Sequence, residues 1–428
     1  MRQQMALVCR LQWLAGTGAI MLALAACAVG PDYQKPDAAT QASFKEAKPT
    51  ASTEPTPPAE QFAWWAVYRD PVLDGLEQQV AVSNQTLKAS EAAYRQAQAI
   101  VKEARAGYYP QVGADGSAQR SQAGGSSASR ASGRRSPPVT QYSISGTASW
   151  VPDLWGRVQR TVEADSASAQ ASAADLAATK LSLQGELAID YLSLRVTDEL
   201  KRLLDTEVEA FTRSLEITQN RYAVGTAARS DVASAQAQLE QTRSQALNLG
   251  IQRAQFEHAI AVLIGKPPAD LSLPAIATVN RVPVIPTGVA STLLERRPDV
   301  AAAERRVAAA NAEIGIAVAA YYPDVTLAAS YGYAGPVLGS LLQAANSLWA
   351  LGSQLAVTVF DAGARSAQVE AARAFHEEAV ATYRQTVLAA FQQVEDQLVA
   401  LRILEQQAVV QAGAVRAARE AEQLTLNQ

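Results

Sequence analysis

Val139-Thr140-Gln141-Tyr142-Ser143-Ile144-Ser145-Gly146-Thr147-Ala148-Ser149-Trp150 alternates along its length. Successive side chains of an extended backbone point to opposite sides. Tyr142, Ile144, Gly146, Ala148 and Trp150 therefore share one face of a strand, and Ser143, Ser145, Thr147 and Ser149 share the other. Upstream, after Tyr109-Pro110, Val112, Ala114 and Ala118 alternate with Gln111, Asp115, Ser117 and Gln119. A hairpin over 111–152 is predicted, its arms joined by Ala123–Pro138, which is rich in Gly, Ser and Arg. Two environments suit it. One is a half-buried place in a soluble sandwich; the other sets the apolar face against lipid and the hydroxyl face toward a water-filled lumen. A tilted strand of ~9–11 residues spans a bilayer, so strand length does not separate the two.

Outward from the hairpin the period changes. Pro152-Asp153-Leu154-Trp155-Gly156-Arg157 forms a turn, and from Arg157 to Val224 there is no proline and one glycine, Gly185. At 1.5 Å per residue such a helix is roughly 100 Å long, more than an ordinary globular domain needs. Leu200, Leu204, Val208, Phe211, Leu215, Thr218 and Tyr222 follow a seven-residue repeat. A turn follows at Gly225-Thr226, and Ser230 with Asp231 can cap a returning helix. That helix carries Val232, Ala235, Leu239, Thr242, Ala246 and Leu249 and ends near Gly265-Lys266-Pro267-Pro268. A coiled coil over 157–265 is predicted. Before the hairpin, packing begins around Phe62-Ala63-Trp64-Trp65, and helical sequence runs from Pro71 to Tyr108 with an interruption near Ser83-Asn84.

The pattern is then written again. Pro298–Ala320 reads as helix, and Tyr321-Tyr322-Pro323 repeats Tyr108-Tyr109-Pro110. A hairpin over 324–360 follows, with Val325, Leu327, Ala329, Tyr331 and Tyr333 on one face of its first strand and Trp349, Leu351, Leu355, Val357 and Val359 on one face of its second. Phe360-Asp361-Ala362-Gly363-Ala364-Arg365 takes the place of the first turn, and helix continues over 362–428. This reads as a duplication with a period of a little over ~200 residues, the halves being 61–283 and 284–428. Asp153, Gly156, Asp361 and Gly363 mark the two places where strand period gives way to helix period.

The start of the chain has a different character. Arg2 and Arg10 flank an apolar run that ends in Leu24-Ala25-Ala26-Cys27. Residues 1–26 look like a secretory signal peptide, and the small residues before Cys27 resemble the bacterial lipobox, in which the thiol carries lipid and becomes the new N-terminus. The plainer reading is an ordinary signal peptide with an incidental cysteine. Residues 27–60 are polar and rich in breakers, an extended, lipidated tether. With Cys9 removed and Cys27 lipidated, no thiol remains for a disulfide or a metal. His258 and His376 have no metal-binding spacing and read as helix-surface residues. Removing Arg2 and Arg10 leaves 35 Lys+Arg against 41 Asp+Glu, a formal charge of −6, which argues against nucleic acid. No phosphate loop, nucleophile elbow or paired-carboxylate motif is present, so neither catalysis nor a cofactor is expected.

From Cys27 onward the chain resembles the outer-membrane efflux proteins, the TolC-type outer-membrane factors of tripartite pumps, in their lipoprotein branch. The residues that carry the resemblance are Cys27–Tyr33 with Pro36, Trp65–Leu73, and Arg221-Tyr222-Ala223-Val224-Gly225 with Asp231. Leu293-Leu294-Glu295-Arg296-Arg297-Pro298-Asp299-Val300, with Glu304, Asn311 and Gly315 beyond it, and the two strand-to-helix turns complete it. The resemblance implies an α+β membrane protein with a long antiparallel α-helical coiled-coil barrel and four transmembrane β-strands per chain, closing as a homotrimer of twelve strands. It implies a passive conduit in the bacterial outer membrane, with its helical part in the periplasm. A tip at Arg221, Tyr222, Gly225, Thr226, Ser230 and Asp231 would dock a periplasmic adaptor joined to an inner-membrane RND pump. Ala123–Pro138 and Ala334–Ser347 would face the exterior, with Arg130, Arg134 and Arg135 solvated or touching lipopolysaccharide phosphate.

Against that pattern the second half stops at Leu424-Thr425-Leu426-Asn427-Gln428, which aligns with Ile217-Thr218-Gln219-Asn220. A second tip and returning helix are expected to be missing, and with them the family's closing residues. Drug, metal and secreted-protein export use similar conduits, a type I secretion conduit included. Val29–Tyr33 and Leu293–Val300 favour the drug and small-molecule branch. The competing class is a periplasm-spanning structural lipoprotein without a pore; an enzyme would need a convergent set of titratable groups that the sequence does not supply.

Overall fold

The computed structural model describes residues 28–38, 44–46, 63–122, 137–276 and 296–426. Cys27, residues 123–136 of the first loop and residues 293–295 lie outside the described residues. In chain order the elements are α1 (Pro71–Ser83), α2 (Gln85–Ala106), β1 (Gln111–Ser121), β2 (Val139–Trp150), α3 (Arg157–Ala223), α4 (Arg229–Leu263), α5 (Pro298–Ala319), β3 (Asp324–Gly335), β4 (Ser347–Ala356) and α6 (Ala364–Leu426). Among the described residues no helix is long and apolar enough to cross a membrane. The chain divides into two compact units.

The first unit takes in the chain up to Asp37, Gln96–Ala171 and Ala303–Arg384. It holds one antiparallel sheet in the order β1-β2-β3-β4. Gln111 pairs with Ser149, Trp150 with Leu327, and Asp324 with Ala356. β4 stops at Ala356, so Val357 and Val359, expected on that strand, lie beyond it. The reason is the partner: β3 begins at Asp324, opposite Ala356, and Pro323 before it has no N–H to extend the ladder. The second loop is built from two short turns, Leu338–Ser340 and Ala344–Asn346, held where the Asn346 amide donates to the Ser340 carbonyl at 2.7 Å.

The second unit takes in Ala38–Arg95, Ser172–Ala302 and Gln385–Gln428. Asp70 starts α1, its carboxylate accepting from Val72 N (2.8 Å) and Leu73 N (3.2 Å), with Pro71 at the first helical position, where its missing N–H costs nothing. Asn84 separates α1 from α2. Its side chain accepts from Leu87 N at 2.9 Å and donates to the Leu263 carbonyl at the end of α4 at 2.7 Å. Leu73, Leu76 and Val80 of α1 pack with Leu187, Tyr191 and Leu194 of α3 and with Ile260 and Ile264. The Tyr191 hydroxyl donates to Asp70 at 2.5 Å. Arg253 of α4 donates to the buried Asp198 of α3 at 2.7 Å, so a charge pair joins the two long helices.

The heptad positions are the more covered ones on their helices. Leu204, Val208, Phe211, Leu215 and Thr218 are half-buried, and Leu239, Thr242 and Ala246 are buried. Leu200 and Tyr222, at the ends, are 46% and 47% exposed. Part of the tether is packed. Phe44 meets Phe391 edge-on, with 6.3 Å between ring centroids. The Glu395 carboxylate accepts from Lys45 N (2.7 Å) and Glu46 N (3.0 Å).

Candidate functional site

The sheet is the first functional element. β1 and β4 stand at the ends of the strand order, so each has one unpaired edge among the described residues. The registers put Val112, Ile144, Leu327, Tyr331, Trp349, Leu351 and Leu355 on one face. All are exposed, Leu351 by 77% and Val112 by 81%. The other face is polar: the Ser117 and Ser143 hydroxyls lie 2.8 Å apart, and Thr147 donates to Asp115 at 3.4 Å. An apolar band of this extent, backed by a hydroxyl face, marks a contact with lipid or protein.

The turns after β2 and β4 hold the four residues expected there. Asp153 caps α3, accepting from Val158 N (3.0 Å) and Gln159 N (2.8 Å). Asp361 accepts from Gly363 N at 3.1 Å and from the Arg365 side chain at 2.5 Å, and the Arg365 hydrogen bond holds its carboxyl below the usual range. Gly156 and Gly363 have φ of +73° and +91°, where a Cβ is strained. The surroundings differ. A Cβ on Gly156 would lie 2.7 Å from the Ala28 Cα, whereas one on Gly363 would meet only the Ser366 hydroxyl, at 3.5 Å. Aromatic residues brace both turns: Trp155 stacks on Tyr322 at 4.9 Å and donates to the Pro323 carbonyl at 2.8 Å, and the Arg365 guanidinium sits 5.3 Å from the centre of the Tyr321 ring.

The strap Ala28–Tyr33 is bound in the same unit, by contacts that leave no periodic trace in the chain. Arg160, 3% exposed, donates to the Val29 carbonyl (3.1 Å), the Gly30 carbonyl (3.3 Å) and Asp32 (2.9 Å). Asn311 donates to the Pro31 carbonyl at 3.0 Å, and the Tyr33 hydroxyl donates to Glu304. Burial and the neighbouring Glu304 carboxylate push the Tyr33 hydroxyl up from its usual range. Gly30 lies directly on Gly315. Glu304, Asn311 and Gly315, singled out as a motif, therefore hold the residues that follow Cys27. Arg160 was missed; the only trace is an arginine one turn after Gly156. Arg160→Met removes the donor to the Val29 and Gly30 carbonyls and to Asp32, and each such hydrogen bond contributes about 0.5–1.5 kcal/mol net. We expect cleavage of residues 28–38 by dilute protease to speed up at least several-fold; an unchanged rate would show that the strap is held by other means.

At the other candidate site, α3 ends in a left-handed turn. Gly225 (φ +78°) donates to the Tyr222 carbonyl at 2.9 Å, and Thr226 donates through N–H and hydroxyl to the Arg221 carbonyl at 2.9 and 3.0 Å. Ser230 does not cap α4. Ala228 occupies the cap position, and Asp231 reaches back to its N–H at 2.9 Å; Ala228 has no side-chain oxygen, so only the acidic half of a capping box forms. Arg221, Tyr222, Gly225, Thr226, Ser230 and Asp231 are all exposed. Among the described residues no group of His, Cys, Asp and Glu could hold a metal ion.

An exposed amphipathic four-stranded sheet combined with helices of 67 and 63 residues defines the class of fold. The family comparison agrees: residues 76–266 and 289–428 match the outer membrane efflux protein model. The chain belongs to that family, whose members are conduits and not enzymes. It is 30% identical over 399 residues to the toluene efflux pump outer membrane protein TtgC of Pseudomonas putida, covering 92% of this chain and 81% of that protein. It is 27% identical over 391 residues to nodulation protein T of Rhizobium leguminosarum bv. trifolii, covering 89% and 80%. Among solved structures, the outer-membrane channel OprN aligns with TM-score 0.79 at 29% identity, over 90% of this chain and 85% of that one. The open-state MtrE outer membrane channel of Neisseria gonorrhoeae aligns with TM-score 0.78 at 26% identity, over 93% and 87%.

Proposed function

We propose that this chain is the outer-membrane channel of a tripartite efflux pump, a passive conduit for small molecules such as drugs. The observation that carries the reading is the sheet, with an exposed apolar face, a hydroxyl face and two open edges. Unpaired strand edges in lipid cost several kcal/mol per orphaned group, so four strands need copies of themselves. Three copies give a closed barrel of twelve, its apolar face toward lipid and its hydroxyl face lining water. TtgC is named for toluene efflux and a relative, ArpC, for antibiotic efflux, which favours small organic cargo. Expression with an adaptor and an inner-membrane RND pump, in a host lacking its own outer-membrane channel, should restore drug resistance. Sensitivity equal to the empty host would count against the reading.

The remaining parts follow from that role. Residues 1–26 are a leader, and Cys27, which precedes the strap, carries the lipid. Residues 61–283 and 284–428 are the two halves of a duplication, supported by matching hairpins and matching Asp/Gly turns. Cys27→Ser should abolish labelling by a clickable fatty acid; labelling that persists would place the lipid elsewhere. The exposed turn at Arg221–Asp231 docks the adaptor. A bulky charge in Thr226→Arg should leave trimers intact, cut adaptor cross-linking several-fold and raise drug sensitivity. Normal cross-linking with full efflux would move the contact off this turn.

A further inference from the structure

The two hairpins keep the same register. Adding 213 to each β1 number and 207 to each β2 number turns Gln111↔Ser149 into Asp324↔Ala356, and Gln119↔Gln141 into Gly332↔Leu348, both of which are pairs of the second hairpin. The offset of 213 is also that of Tyr321-Tyr322-Pro323 from Tyr108-Tyr109-Pro110. Asp361 stands 208 beyond Asp153, so one residue has been gained between β4 and its turn, outside the paired region. The strands have thus kept their pairing while the flanking turn drifted.

Among the described residues the hairpins meet at one junction, β2 against β3. Its register runs from Tyr142↔Gly335 to Trp150↔Leu327. The equivalent junction for the free edges is β4 of one copy against β1 of the next. We propose that this seam repeats the internal β2–β3 register, so that the internal junction is a template for assembly. The proposal rests on the multi-copy barrel argued above. Converting β2 numbers to β4 and β3 numbers to β1 by the same offsets gives Ser353↔Ala118 from Gly146↔Tyr331 and Leu355↔Gly116 from Ala148↔Ala329. It likewise gives Gln354↔Ser117 from Thr147↔Ser330.

Two features are consistent with it. Residues directly opposite in an antiparallel pair share a face. Ala118 and Gly116 lie on the apolar face with Tyr142 and Ile144, and Ser353 and Leu355 lie there with Leu327 and Val325. Gln354 and Ser117 fall together on the hydroxyl face. A slip of one residue would set Leu351 and Leu355 against the lumen side, so only shifts of two or more compete. The pair Leu355↔Gly116 sets large against small, as Gly146↔Tyr331 does inside the chain.

Disulfide trapping reads the register directly. Opposed Cα atoms in an antiparallel pair are ~4.5–5.5 Å apart, within the ~4.4–6.8 Å that a disulfide accepts. A two-residue slip moves one strand ~6.8 Å and takes the pair out of range. Full-length Ser353→Cys chains would be co-expressed with Ala118→Cys, Gly116→Cys or Arg120→Cys chains and mildly oxidised. The parent chain controls for Cys9 and Cys27, and native mass measures assembly. We expect the Ala118→Cys partner to link at least fivefold more than the other two, and Gln354→Cys to link to Ser117→Cys from the opposite face. Stronger linking at Gly116→Cys or Arg120→Cys in assembled particles overturns the register and leaves the multi-copy barrel standing. Chains that stay monomeric by native mass overturn the barrel, and the register with it.

Discussion

Gly156→Val should lower the yield of heat-resistant trimer roughly tenfold or more, and Gly363→Val should lower it distinctly less, since left-handed strain alone costs ~1–3 kcal/mol and a factor of ten is ~1.4 kcal/mol. Both glycines have positive φ, so both valines carry that strain. Only Gly156 adds a collision, because its Cβ would press on the Ala28 backbone at 2.7 Å. Overpacking of this kind adds ~1–3 kcal/mol or expels the neighbour. Expelling Ala28 also breaks the hydrogen bond from Val29 N to the Trp155 carbonyl, 3.2 Å, and loosens the strap from Arg160. Trimer on denaturing gels, quantified unheated against heated, checks the ranking. Equal yields from the two variants would show that contact with the strap contributes nothing to assembly.

A loss of stability between pH 5 and 8 is the second large effect, and it is assigned to Glu77. Its side chain is 0% exposed among Leu73, Leu76 and Val80, and neither carboxylate oxygen has a hydrogen-bond partner among the described residues. Burial pushes its carboxyl up from 4.5 to about 8. Below about pH 4.5 the group is protonated in folded and unfolded chains alike and changes nothing. Between there and about pH 8 the folded chain holds a proton that the unfolded chain has released. Each pH unit upward then removes about 1.4 kcal/mol, on the order of 5 kcal/mol over the window, and above it the loss levels off. Glu77→Gln should flatten the curve and raise the unfolding midpoint at pH 8 relative to the parent. Parallel curves for parent and Glu77→Gln would assign the pH dependence to other groups.

The strands and the long helices could be read from the chain because each has a period that backbone geometry imposes. Alternation in Val139–Trp150 and heptads in Leu204–Thr218 mark which positions are covered, whatever they cover. Strand ends are less legible: Val357 and Val359 continue the alternation, yet β4 stops where β3 begins opposite it. The strap had no period to read. Its conformation is set by Arg160 and Asn311, more than a hundred residues away, and an aperiodic Gly-Pro segment looks the same free or bound. Ser230 misled because Ser, as a residue type, prefers cap positions, whereas the turn at Gly225 placed the cap at Ala228 and left the work to Asp231. Glu77 gave no signal either, since one carboxylate within a helical pattern does not disclose which face is buried.

Conductance across a planar lipid bilayer tests the central claim most directly. Purified full-length protein, shown to be trimeric by native mass and inserted into the membrane, should produce discrete current steps of uniform size. Inserted trimers that leave the bilayer electrically silent, at every voltage and from both sides, would contradict a conduit and favour a structural lipoprotein without a pore.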